Sequence, residues 1–210
     1  MLEIYGTTLV ALLVAVYPLG LVPVFIALTR DLEPAQQRQM AGKGVIVGIA
    51  TLGAFALLGE RLLGTIGVTM PAFRIAGGAV LFLLALEMVF DRRERRRVST
   101  AETVAEERPG DDIATFPLAI PLIAGPAAIT TVILSMGRHG GSLEGALAVA
   151  AALVSTGLLT WAALLLAVRI ERLLGPTLIG VLSRVLGLLL AALAVQFVLD
   201  GLREAYRFLG

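Results

Sequence analysis

YPLGLVP, residues 17–23, interrupts an apolar run that extends from about residue 5 to about residue 29. Each proline removes a backbone donor and its ring clashes with the carbonyl four residues earlier. A helix crossing this stretch is therefore expected to bend or open. Freed N–H and C=O groups are not tolerated against lipid, so such a break must line a protein cavity or bind something. The same proline spacing returns as PLIAGP, residues 121–126.

Outward from these stretches the chain is too apolar for a soluble shell. Of its 210 residues 58% are hydrophobic and 16% charged, with a mean hydropathy of +0.91. An integral membrane protein follows. Six segments reach the roughly 20 apolar residues of a membrane span: about 5–29, 43–64, 70–90, 113–137, 143–168 and 178–200. The expected fold is all-α and polytopic, with spans 1 and 4 broken. Cysteine is absent, which excludes disulfides, thiolate metal sites and cysteine nucleophiles. The opening MLEIYGTTLV lacks a basic leader region, so the first apolar run is expected to be retained.

One connection is long, from Asp91 to Asp112, arginine-rich first and acidic later. STAE at 99–102 offers a capping box for a short surface helix. A solvated linker beside anionic headgroups fits it better than a nucleic-acid patch. With six spans, connections 1–2, 3–4 and 5–6 share one face. That face holds Arg30, Arg38, Lys43, five arginines between Arg92 and Arg97, Arg108, Arg169 and Arg172. The positive-inside rule places it in the cytoplasm and both termini outside.

The halves resemble each other. PLGLVP (18–23) answers PLIAGP (121–126), ERLLG occurs at 60–64 and 171–175, and Arg74 in RIAGG answers Arg184 in RVLGL. The three pairs keep their order at offsets of 103, 111 and 110 residues. This predicts a three-span repeat over 1–90, a cytoplasmic linker over 91–112 and a second repeat over 113–210. An odd span number inverts the second copy, the architecture of many secondary transporters.

Pro23 and Pro126 suit the first position of new half-helices, where a missing N–H costs little. Gly20 and Gly125 permit unusual dihedrals and close approach of a ligand. A half-helix N-terminus suits a carboxylate, and the carbonyl end before it suits an ammonium group or cation. Kinks that merely shape the bundle are the alternative for one such span; two matched spans favour a site. The candidate substrate-binding residues are Tyr17, Pro18, Gly20, Pro23, Gly125, Pro126, Thr130 and Thr131. The threonine hydroxyls either meet a ligand or bond back to their own helix. Tyr17 supplies a phenol to the cavity edge or packs as an interfacial aromatic.

Between Arg74 and Glu87 lie 12 uncharged residues, about 18 Å of helix and less than the hydrocarbon thickness, so at least one of the two charges is expected at membrane depth. Arg74 and Arg184 are read as structural clamps of the repeat and Glu87 as a group for proton coupling. GVIVG (44–48) is read as close helix packing rather than a dimer face. His139, the only histidine, sits in a polar turn, and HExxH, GxSxG, P-loop and CxxC motifs are missing. An enzyme, a metal site and an ATP-driven pump are therefore not expected.

The runs YPLGLVPVFIALT, PAFRIAGGAVLFLLALEMVF, FPLAIPLIAGPAAITTVIL and SRVLGLLLAALAVQFVLDGL together resemble the MarC family of bacterial inner-membrane proteins. The likeness covers nearly the whole chain. It implies kinship with LysE-type exporters and, through similar members, transport of small neutral amino acids such as glycine and alanine. The family motif usually reads N-P-[IL]-G, whereas this chain has Tyr17 before Pro18, which bears on substrate identity.

The combined expectation is a secondary transporter of small zwitterionic solutes working by alternating access. Segments 17–23 and 121–126 would face each other, and a proton or sodium ion would couple transport. Gly20→Leu or Gly125→Leu is expected to stop transport and leave folding intact. The rivals are an envelope binding, assembly or sensing protein that uses the 91–112 linker, and a channel. Substrate, direction and oligomeric state are not legible at this level.

Overall fold

The computed structural model describes residues 1–30, 32–90 and 114–209. The 91–112 linker, with its capping box, lies outside the described residues. Those described form helices and turns with no strand among them, as expected for an all-α polytopic protein. The helices are α1 (Leu2–Val16), α2 (Pro18–Thr29), α3 (Pro34–Thr65), α4 (Met70–Val89), α5 (Pro126–His139), α6 (Leu143–Leu165) and α7 (Ala167–Leu209). An irregular coiled segment, Ala114–Ile123, precedes α5.

Five stretches are long and apolar enough to cross a membrane: Leu2–Thr29, Pro34–Thr65, Met70–Val89, Leu143–Leu165 and Thr177–Tyr206. Ala114–Ile123 with Pro126–His139 forms a sixth if taken as one span bent by 58°. The span edges differ from the expected ones where local caps act. Gln36 accepts from the Glu33 amide at 3.1 Å, starting α3 at Pro34 well before the apolar run. Gly175, at φ 63, kinks α7 and separates a short polar helical stretch from the span.

The most apolar window of Leu2–Thr29 is 61% buried, against 28% for those of α3 and α4. The first broken span is thus a central element, and its neighbours carry the lipid-facing surface. Helices α4 and α7 run antiparallel in close contact, made possible by glycine. A Cβ at Gly78 would lie 2.7 Å from the Ala194 carbonyl, one at Gly187 3.0 Å from that of Ala85, and one at Gly201 2.9 Å from that of Pro71. Without hydrophobic driving force between helices in lipid, such close backbone approach supplies the packing energy.

Helix α3 receives the second broken span. Gly44 meets Leu118, Gly48 meets Ile123 and Gly59 meets Ile133. The GVIVG pattern thus works as an internal packing seam, as read from the sequence. Helix α6 in turn packs on α1, α2 and α3, and Gly157 admits Ile49. Tyr5 on α1 donates to the Ser155 hydroxyl on α6 at 3.1 Å, a polar link between two otherwise apolar faces.

Candidate functional site: the two helix breaks

The first break falls at Tyr17, at the start of the expected 17–23 stretch, and Pro23 does not open a half-helix as expected. Tyr17 closes α1 in the left-handed conformation (φ 54, ψ 71), its amide bonded to the Leu13 carbonyl at 2.8 Å. Pro18 then opens α2 with its pre-set φ, and Pro23 lies inside that helix. The interruption is local: α1 and α2 together remain one apolar stretch, Leu2–Thr29, long enough to cross a membrane. Left-handed backbone costs a non-glycine residue roughly 1–2 kcal/mol.

Two contacts hold Tyr17 in place. It is 1% exposed, and its hydroxyl donates to the Ile179 carbonyl on α7 at 3.2 Å. Its ring lies against Gly20, where any Cβ would overlap the ring carbons. Gly20 is therefore a seat for the Tyr17 ring rather than a point of ligand approach. Neither the cavity-edge nor the interfacial role expected for the phenol is realised.

The second break is wider. Phe116 and Ile120 adopt extended backbone within Ala114–Ile123, and the peptide bonds preceding Pro117 and Pro121 are cis. The Ala124 amide reaches back five residues to the Ala119 carbonyl at 2.8 Å. Gly125 then caps α5 in extended conformation and Pro126 is its first residue, as expected. A Cβ at Gly125 would sit 2.5 Å from the Pro121 carbonyl oxygen. Both glycines are thus demanded by the fold, and leucine at either position perturbs structure as well as any site. Pro121 and Pro126 are exposed while Ile123, Ala124, Gly125, Ala127 and Ala128 are buried, so the prolines shape the backbone and the small residues face inward.

The first turn of α5 therefore ends in the protein interior. Its leading amides have no acceptor within the helix. No side chain caps it through Gly125. One turn further, Thr131 is 0% exposed and its Oγ1 has no hydrogen-bond partner. This is unlike Thr29, Thr51, Thr156 and Thr160, whose hydroxyls all bond back to the carbonyl four residues earlier at 2.7–2.8 Å. An unsatisfied buried hydroxyl costs about 1–3 kcal/mol. Thr130 turns the other way, its methyl against Gly77 of α4.

The apolar cleft between α3 and α6 and the cleft between α1 and α7 are lined by residues other than those of the two breaks. Tyr17 engages α7, and Ala114–Ile123 lies on α3. Buried residues of both stretches, Leu21 and Val22 in the first and Leu122 and Ile123 in the second, belong to one apolar core.

Of the charged candidates, Arg74 pairs through a guanidinium nitrogen with Glu204 near the end of α7, joining the start of span 3 to the end of span 6. Its Nε is buried without a partner. Arg184 is exposed and forms no ion pair with a described residue, so among the described residues only Arg74 acts as a clamp. Glu87 is half-buried near the far end of α4, about 20 Å along the helix from Arg74.

A family model described as MarC family integral membrane protein matches residues 2–206. The chain belongs to the MarC family. Among curated relatives, a UPF0056 membrane protein of Methanocaldococcus jannaschii is 38% identical over 90% of both chains. A UPF0056 membrane protein of Aquifex aeolicus is 36% identical over 92% of this chain and 90% of its own. The UPF0056 inner membrane protein MarC of Salmonella paratyphi A is 30% identical over 95% and 94%. No solved structure matches.

Within this MarC chain the geometry adds residues that the sequence analysis passed over. Arg138, in the last turn of α5, pairs with Asp200 on α7 and stands over the Phe197 ring at 5.3 Å. Gln196 donates to the other Asp200 oxygen at 2.8 Å. Ser135 is buried one turn from Thr131. The spacing 131, 135, 138 puts all three on one helix face, a signal present in the sequence. The Tyr17 position also acquires a physical meaning. Asparagine, expected there from the family motif, is enriched in left-handed backbone, and here a buried phenol holds the same conformation by packing and by its bond to Ile179.

Proposed function

We propose that this MarC family protein is a secondary transporter of small zwitterionic solutes, small neutral amino acids foremost. The observation that carries this reading is the interior N-terminus of α5 with the unsatisfied Thr131 hydroxyl beside it. A solute carboxylate is the natural complement of helix N-terminal amides and a hydroxyl donor. The same groups left empty represent a cost that a closed structural kink has no reason to retain.

The packing supports a pair of inverted repeats. Each broken span packs against the middle span of the other half: α1 and α2 on α6, Ala114–Ile123 and α5 on α3. The third spans of each half, α4 and α7, pack on each other, and so do α1 and α5. This arrangement is unchanged when the halves are exchanged, as two-fold pseudosymmetry requires. Alternating access then proceeds by movement of α1 and α2 against α5, with both termini outside a cytoplasmic membrane and a proton or sodium ion as coupling partner.

Purified protein in liposomes is expected to accumulate labelled glycine or alanine, saturably, and to show counterflow when the same unlabelled solute is trapped inside. Flux without saturation or counterflow points to a channel. Absence of flux across the neutral amino acids removes the transport reading.

A further inference from the structure

At the end of the bundle that carries both termini, a crevice of about 40 Å³ lies between α1, α5 and α7. It has about the volume of a single water molecule. Thr7 and Thr8 line it from α1, Ser135 and Arg138 from α5, and Phe197 from α7. At Thr7, Ala11 and Leu193 it shares its wall with a larger cleft of about 490 Å³ between α1 and α7. Thr8 and Ser135 are both buried. One turn below Ser135, about 6 Å along the helix, stands the unsatisfied Thr131. One further turn leads to the interior start of α5 at Gly125–Pro126. Two buried hydroxyls, Ser135 and Thr131, thus lie in succession on one face of α5, between the crevice and the first turn of the helix.

The mouth of the crevice is tied shut. The Arg138 guanidinium pairs with Asp200, Gln196 holds the other carboxylate oxygen, and the cation stands over Phe197, which itself walls the crevice. The contacts of Arg138 with Asp200 and Phe197 join α5 to α7, and the Gln196–Asp200 bond within α7 holds the carboxylate in place.

We infer that the face of α5 bearing Thr131 and Ser135 is the solute's path to its site, and that the Arg138–Asp200 pair with Phe197 is the outer gate. This rests on the transport reading. A small zwitterion fits both parts: its carboxylate would be passed between hydroxyls towards the helix N-terminus. At the mouth, its two charges could each compete with one member of the ion pair. Gate opening would widen the crevice at the expense of the α5–α7 contact and leave the antiparallel seam of α4 and α7 in place.

The absence of cysteine permits a test without background labelling. Ser135→Cys, a near-isosteric change, would be reacted with a membrane-impermeant thiol reagent from the outer side of liposomes. Gly141→Cys in the exposed turn serves as the accessible reference. Ser135→Cys is expected to react slowly in the otherwise unaltered protein. Adding Asp200→Asn or Arg138→Gln is expected to speed its reaction about tenfold or more, towards the reference rate, because the open form ceases to be a minor population. Should either variant fail to fold, raising the salt concentration on the intact pair supplies the same perturbation through screening. Equal reaction rates in all backgrounds and at all salt concentrations, whether fast or slow, would overturn the gate. No solute is needed for this readout, so it can fail while flux stands, and flux can fail while it stands.

Discussion

Tyr17 and Gly20 show how one residue pair sets a helix break. The left-handed tyrosine turns the chain, and its ring needs the space that only glycine leaves three positions on. Alanine in place of a helical glycine normally stabilises by up to about 1 kcal/mol. Here Gly20→Ala is expected to destabilise by about 1–3 kcal/mol through overpacking. In a Tyr17→Ala background the same change becomes neutral or stabilising. Unfolding in mixed detergent micelles measures all four corners of this cycle, and additive effects would refute the ring-and-seat account. The sequence showed that something breaks near YPLGLVP, because proline and glycine act locally. It did not show where, because the choice of Tyr17 depends on a buried carbonyl 162 residues away. Thr131 was legible as a hydroxyl near the second break. Its lack of a partner was not, since back-bonding to the helix is equally compatible with the sequence.

Among the elements, the two ERLLG pentapeptides illustrate how matching sequence meets different surroundings. In the first, Gly64 stays helical near the end of α3, and the left-handed turn falls later, at Gly67 with φ 76. In the second, Gly175 itself takes φ 63 and ψ 168 and kinks α7. Both positions have open space around a built Cβ, so backbone alone decides the outcome. Gly175→Ala is expected to cost about 1–3 kcal/mol, whereas Gly64→Ala is expected to stabilise by up to about 1 kcal/mol. Thermal unfolding of the two variants in detergent checks the opposite signs; a shared sign would mean that the kink is not imposed by the backbone. Span existence was readable because apolar length is a strong signal. Most span starts were readable too, Met70, Leu143 and Thr177 falling where expected; α3 is the exception, because it gains its early start from a polar cap at Glu33–Gln36.

For the whole molecule, the pairing of each broken span with the other half's middle span makes the halves interdependent. The proline spacing and paired pentapeptides predict a repeat, but the ion pairs among the described residues do not follow its symmetry. Arg74 pairs with Glu204, whereas Arg184 is exposed and pairs with no described residue. Function at this scale depends on whether the buried end of α5 receives a solute. Thr131→Val removes the unsatisfied hydroxyl at nearly constant shape, and Thr156→Val removes one already bonded to its own helix. The decisive measurement is amino-acid flux and thermal stability of these two variants side by side in liposomes and detergent. The account predicts that Thr131→Val gains about 1 kcal/mol of stability and loses about tenfold or more in apparent solute affinity, while Thr156→Val leaves affinity unchanged. Unaltered solute affinity in Thr131→Val, accompanied by a loss of stability, would contradict it.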